Sequence, residues 1–179
     1  MAELSLIAVT RPDFVPGEAA AIVRLLCERG FSRVHIRKPG ADALHVAALV
    51  RAVPPQLRGR LSLHDCFEVA ADAGAGGVHL NSRCPAPPTG WHGLVSRSCH
   101  SLDELGHRRH FDYVFLSPVF DSISKPGYRA AFTEEELTAS PLVDSHVVAL
   151  GGVTPARLGA VARMGFGGAA MLSAAWSDL

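Results

Sequence analysis

The chain has 179 residues, with 17 Lys and Arg against 17 Asp and Glu, and 48% of it is hydrophobic. That suits one globular domain over 1–179 with a core of its own. The even charge leaves no basic stripe for nucleic acid, and no apolar run approaches the ~20 residues that cross a bilayer, so both are excluded as partners. Met1-Ala-Glu-Leu4 lacks the basic start of a secretory signal, and Cys27, Cys66, Cys84 and Cys99 form no C-x-x-C pair; both predict a cytoplasmic protein with reduced thiols, most of them small core hydrophobes.

In chain order, short β-rich runs recur at 4–10, 33–38, 61–64, 77–80, 94–99, 113–119, 147–152 and 168–174. Amphipathic helical patterns separate several of them, at 18–29, 41–53, 67–73 and 155–164. Gly17, Asp42, Ser101, Thr133 and Thr154 stand where helices would start, and Gly30, Gly74 and Gly165 where they would stop. Strands alternating with helices imply parallel pairing, and eight such units predict an α/β fold of the closed (β/α)8 TIM barrel type, a doubly wound sheet being the alternative. The usual barrel length is roughly 250 residues, so this one must be compact. Residues 81–93, with Pro85, Pro87 and Pro88, can hardly hold a full fourth helix, which is expected to be vestigial. The chain stops a few residues after the last run, so the eighth helix is expected to be missing or truncated. The apolar barrel surface left there predicts a homodimer.

The run 113–127 is the most informative. An apolar strand gives way to a polar loop with Ser122, Ser124, Lys125 and Gly127, an arrangement suited to holding an anion at a strand's C-terminal end. The other strand ends add Thr10, His35, Arg37, Lys38, His64, Asp65, His79, Ser98, His100, Gly151, Gly152 and Ser173. In a barrel these meet on one rim. Cations with hydroxyls and glycine-flanked N–H groups favour a phosphorylated or pyrophosphorylated small molecule. His35 and Arg37 share a face by the two-residue period, and if Val34 and Ile36 face the helices they point into the barrel mouth. An inward arginine needs an anion, because an unpaired buried charge is costly. Lys38 is as readily a solvated side chain, Asp65 a helix cap, His79 a satisfied core histidine, and His100 part of the helix start at Ser101-Leu-Asp-Glu104. No close spacing among His64, His79, Cys84 and His100 marks a transition-metal site.

Taken together, Val34-His-Ile-Arg-Lys38, Leu63-His-Asp65, the Gly-Val-His-Leu run at 77–80, Ser98-Cys-His-Ser101, the stretch 112–125, Val148-Ala-Leu-Gly-Gly-Val153 and 167–176 resemble the thiamine phosphate synthase/TenI family. The resemblance runs in order from Leu6 to Trp176. It implies a (β/α)8 transferase of thiamine biosynthesis that joins hydroxymethylpyrimidine diphosphate to a thiazole phosphate, expelling pyrophosphate with the help of magnesium. By that resemblance Arg37, Lys125 and Lys38 would grip pyrophosphate, Asp65 would hold Mg2+, and Ser98 would lie near the pyrimidine. Ser122 and Ser124 would stand in the family's Thr-x-Thr-Lys loop, and Gly151, Gly152 and Ser173 would cradle the thiazole phosphate. Three departures accompany it. His35-Ile-Arg37-Lys38 stands where synthases have Gln-x-Arg-x-Lys, His64-Asp65 stands for Asn-Asp, and Cys84 stands near the second metal-binding aspartate. Losing that carboxylate should weaken magnesium. His35-Ile-Arg37 is similar to the TenI branch, which implies a thiazole tautomerase as an alternative, with His35 or His64 moving the proton. A non-catalytic phosphate binder is the other.

Overall fold

The computed structural model describes residues 4–121 and 129–177. Its staves are β1 (Ser5–Val9), β2 (Arg33–Ile36), β3 (Leu61–Leu63), β4 (Gly77–Leu80), β5 (Leu94–Cys99), β6 (Tyr113–Leu116), β7 (Val147–Ala149) and β8 (Gly168–Met171). All pair parallel in sequence order, and β8 returns to β1 with Ser5 opposite Gly168, closing the barrel. The expected strand ends at Arg37, Lys38, His64, Gly151, Gly152 and Ser173 therefore lie just beyond the staves, on the rim where side chains are free to turn toward a ligand.

Period two sorts each strand. Val34, Ile36, Leu61, Leu63, Val78, Val114 and Leu116 face outward into the main core, where they meet Ile22, Leu25, Val46 and Val50 from the helices. Each such side chain, at most 2% exposed, stabilises the fold by about 1.5–3 kcal/mol. The inward positions split into two sectors. Ile7, Val9, Phe115, Val148 and Ala170 make an apolar half. His35, Ser62, His79 and Ser96 make a buried polar half.

The helical layer is uneven. α1 (Glu18–Cys27) and α2 (Ala43–Ala52) are full helices, with the Asp42 carboxylate accepting from His45 N at 3.0 Å to start α2. α3 (Pro55–Arg58), unforeseen by periodicity, is a single turn with proline at its first position. The pattern at 67–73 becomes a 3-10 turn plus α4 (Ala70–Ala73), stopped by left-handed Gly74. α5 (Leu102–Leu105) is capped by Ser101, α6 (Glu134–Ala139) by a Thr133–Glu136 capping box, and α7 (Leu158–Arg163) follows the 3-10 turn Pro155–Arg157. No helix joins β4 to β5, as the prolines require. After β8 only the 3-10 turn Ser173–Ala175 remains before residue 178. That turn buries Ala175 and Trp176, whose indole Nε1 donates to Val9 O at 2.7 Å, so part of the surface expected to be bare is covered from within the chain. Cys99 is buried in the core, Cys66 and Cys84 are half-buried against it, and Cys27 is exposed. No described helix is long and apolar enough to cross a membrane.

Candidate anion-binding active site

A cavity of about 590 Å3 opens at the C-terminal end of the barrel, with lining residues from β1 round to β8, and Arg37, His64, Ser98 and His79 all line it. Arg37 is carried there by the alternation that also turns His35 inward. Its backbone N–H donates to Thr10 Oγ1 at 2.9 Å, tying the ends of β1 and β2 together. Val9, Phe115 and Leu150 supply an apolar wall opposite the polar residues.

Beneath the mouth lies a connected polar network. The Tyr113 hydroxyl and His35 Nε2 share a hydrogen bond of 2.6 Å, and His35 Nδ1 and His64 Nε2 share one of 2.8 Å. His79 bonds Ser96 Oγ and Ser98 Oγ, both at 2.9 Å, and its ring stacks on His64 with centroids 4.1 Å apart. Burial, reinforced by neighbouring His79, holds His35 and His64 well below the usual histidine range. Burial alone pushes His79 down to about 3. All three rings are neutral at physiological pH, and the network presents the cavity with the imidazole of His64 and the hydroxyl of Ser98. Ligand nitrogens of the three histidines lie within 4.8 Å of one another, a cluster invisible in the sequence spacing. Five of their six nitrogens are engaged in the hydrogen bonds above, so the group reads as a satisfied polar core.

Several expectations are corrected here. His35 is wholly buried one layer below the mouth, with both ring nitrogens bonded to protein, so it does not reach a ligand. Lys38 is only 1% exposed and turns away from the cavity: its Nζ donates to Arg11 O at 2.9 Å, Asp13 O at 2.7 Å and Glu18 Oε1 at 2.7 Å. Its charge is consumed in pinning the loop after β1 to α1. Gly151 and Gly152 do adopt left-handed φ angles, 94° and 62°, but they lie outside the cavity lining. A Cβ on Gly151 would meet Pro118 Cα at 2.8 Å, and one on Gly152 would meet Asp121 O at 2.4 Å. These glycines are required by the close passage of the chain after β6. Ser173 is exposed on the same rim, after β8, and its neighbour Leu172 lines the cavity. Ser122, Ser124 and Lys125 lie outside the described residues.

Arginines absent from the expected set complete the lining. Arg97 pairs in register with Leu80 and Val114, which puts it on the outer face of β5, where a helix would ordinarily cover it. With no helix after β4, its guanidinium lies over the Phe111 ring, 5.5 Å from the centroid, and borders the cavity. Arg83 comes from the turn after β4. Asn81 Oδ1 accepts from Arg83 N at 2.9 Å and Cys84 N at 3.2 Å, while Asn81 Nδ2 donates to His64 O, so one amide fastens the turn to the end of β3. The missing helix, already signalled by the prolines, is the one sequence feature that could have exposed both arginines. Three guanidinium groups thus face one carboxylate in the lining, Glu104, whose Oε2 accepts from His100 N at 2.9 Å. His100 both joins this helix start, as expected, and lines the cavity.

The donor set does not fit magnesium as the resemblance implies. Asp65 does not line the cavity; its Oδ1 is held by Arg83 Nε at 2.9 Å and Nη2 at 2.8 Å, and its Oδ2 is sealed from solvent without a partner among the described residues. Cys84 offers a thiol that burial, then the nearby Asp65, keeps protonated at neutral pH. Magnesium prefers several oxygen ligands in open octahedral geometry; Asp65 spends one oxygen on Arg83 and turns the other away from solvent, and Cys84 supplies none.

A family model described as thiamine monophosphate synthase matches residues 6–175. Thiamine-phosphate synthase of Bordetella bronchiseptica is 34% identical over 171 residues, covering 86% of this chain and 78% of that protein. The enzyme of the same name from Methanoculleus marisnigri is 32% identical over 170 residues, with the same coverage. The crystal structure of a thiamine phosphate pyrophosphorylase from Bacteroides thetaiotaomicron superposes with a TM-score of 0.85 at 36% identity, over 98% of this chain and 86% of that one.

Proposed function

The chain belongs to the thiamine monophosphate synthase family, and from that premise we propose that it joins a hydroxymethylpyrimidine diphosphate to a thiazole phosphate, forming thiamine phosphate and pyrophosphate. The observation that carries the reading is one cavity in which guanidinium groups stand beside a neutral polar floor and an apolar wall. Each part has a task. The wall of Val9, Phe115 and Leu150 receives a flat heterocycle, and His64 with Ser98 offers hydrogen bonds to its edge. Arg37 holds the pyrophosphate by charge-assisted hydrogen bonds.

In the reaction the bond from the pyrimidine methylene to the pyrophosphate oxygen breaks, and its electron pair leaves with pyrophosphate. The ring nitrogen of the thiazole then donates its lone pair to the methylene carbon. No net proton is transferred, so the site needs no titrating base, in keeping with three neutral histidines. What the site must do is stabilise the negative charge that develops on the leaving oxygen, and fixed cations in a partly dehydrated mouth do this at little reorganisation cost. The second phosphate, on the thiazole, is assigned to the rim after β8, at Ser173 beside the cavity residue Leu172. The family resemblance would add Lys125 as a further cation for the pyrophosphate.

Incubating the purified protein with both phosphorylated precursors tests the proposal by the appearance of thiamine phosphate; no product at high enzyme concentration refutes it. We further propose a cytoplasmic homodimer. The exposed apolar side chains Phe14 and Leu44 support association, and four free thiols suit a reducing compartment. Light scattering after size exclusion at micromolar concentration decides the dimer.

A further inference from the structure

The place where the family resemblance puts a metal is already occupied by a cation of the protein itself. We infer that Arg83, aimed by Asp65, supplies at the cavity mouth the positive charge otherwise assigned to a divalent ion, so that a pyrophosphate group is held there without metal.

The two residues are arranged as a buried orienter and an exposed effector. The Asp65 side chain is 13% exposed and outside the cavity lining, whereas the Arg83 side chain is 51% exposed and within it. The guanidinium therefore stands between the carboxylate and any ligand. Among the described residues, both hydrogen bonds of the Arg83 side chain converge on a single oxygen, Oδ1 of Asp65, through Nε and Nη2. A guanidinium carries five N–H groups, so three remain directed elsewhere, enough for a bidentate grip on phosphate oxygens. A magnesium ion could replace this arrangement only by breaking both contacts, since Oδ2 is closed to solvent.

Two further features show the arrangement is built in. Asn81 fixes the backbone of Arg83 and Cys84 and is itself fastened to His64 O, so the turn is set by the end of β3, one residue before Asp65. The surrounding charge is also cationic, with Arg37 and Arg97 in the same lining and Glu104 turned to a backbone N–H. A highly charged anion meets three guanidinium groups there, and Arg83 is the one whose geometry a neighbouring acid enforces. Asp65 is then a positioning residue.

The inference depends on the proposed reaction only for the choice of anion, and calorimetric titration with inorganic pyrophosphate tests it apart from turnover. The metal-stripped protein in chelator is expected to bind pyrophosphate, with an affinity that excess Mg2+ changes less than about threefold, a fraction of the roughly tenfold or greater effect of one charge-assisted contact. Arg83→Gln is expected to lose about tenfold in chelator, and Arg83→Lys to recover part of that loss. Asp65→Asn is expected to weaken binding less and to make it more salt-sensitive, because the guanidinium is then no longer held in place. Circular dichroism checks that these variants fold, as the exposure of Arg83 predicts. No binding in chelator overturns the inference, whether or not Mg2+ restores it, and so does an Arg83→Gln protein that binds like the parent. Failure to make thiamine phosphate with metal-free, Arg83-dependent binding intact would refute the proposed reaction and leave this inference standing.

Discussion

Replacing Lys38 with methionine separates two roles that its position on the rim makes equally plausible. Its ammonium makes three hydrogen bonds and its ion-pair partner Glu18 is 3% exposed on the side chain, with Oε2 already lacking a partner among the described residues. Lys38→Met keeps the aliphatic stem but leaves a buried carboxylate unpaired, together with the carbonyls of Arg11 and Asp13. Breaking a buried ion pair from one side costs about 3–5 kcal/mol. At about 2–4 °C per kcal/mol for a domain of this size, the melting temperature should fall by about 6–20 °C. Removing the stranded charge as well, in Lys38→Met with Glu18→Leu, should regain more than half of the loss, because an apolar pair of similar volume often matches a buried ion pair. Thermal unfolding followed by circular dichroism gives these values. Pyrophosphate titration at a temperature where the variant is folded gives the second readout, with affinity expected within about threefold of the parent, below the effect of losing one direct charged contact. A Lys38→Met protein that melts within about 2 °C of the parent yet binds pyrophosphate about tenfold more weakly would show that the ammonium serves the ligand.

The buried histidines predict a pH dependence of stability. His79 is pushed down to about 3, and His35 and His64 move the same way, whereas an unfolded histidine titrates near 6.5. Below that value the unfolded chain binds protons that the native state does not, so each histidine removes about 1.4 kcal/mol of stability per pH unit as pH falls, and nothing above it. Denaturant midpoints that stay constant between pH 6.5 and 5 would refute the neutral network. Arg37→Gln should lower turnover at least about tenfold through a lost charge-assisted contact while melting close to the parent; a large loss of stability instead would make Arg37 structural. Gly152→Ala places a Cβ 2.4 Å from Asp121 O at a φ of +62°. It should cost about 1–3 kcal/mol from backbone strain alone, read by chemical denaturation. A neutral result would mean that the loop after β6 yields freely.

Local regularities made much of this protein readable from its residues in order. Alternation placed Val34 and Ile36 outward and His35 and Arg37 inward, because the two-residue period is a property of adjacent peptides. Prolines 85, 87 and 88 removed a helix for an equally local reason, the lack of an N–H and a fixed φ. From such signals come the eight parallel strands, the rim, and the presence of Arg37, His64 and Ser98 in one cavity. The tertiary structure decided what long side chains reach. Lys38 lies next to Arg37 in sequence, yet its flexible stem delivers the charge to Glu18, 20 residues away. Asp65 meets Arg83 from another turn, 18 residues on, and Arg97 becomes part of the site only because no helix joins β4 to β5. Partner choice among distant charges depends on which backbones the closed barrel brings together and which groups it cuts off from water, and no stretch of neighbouring residues encodes that.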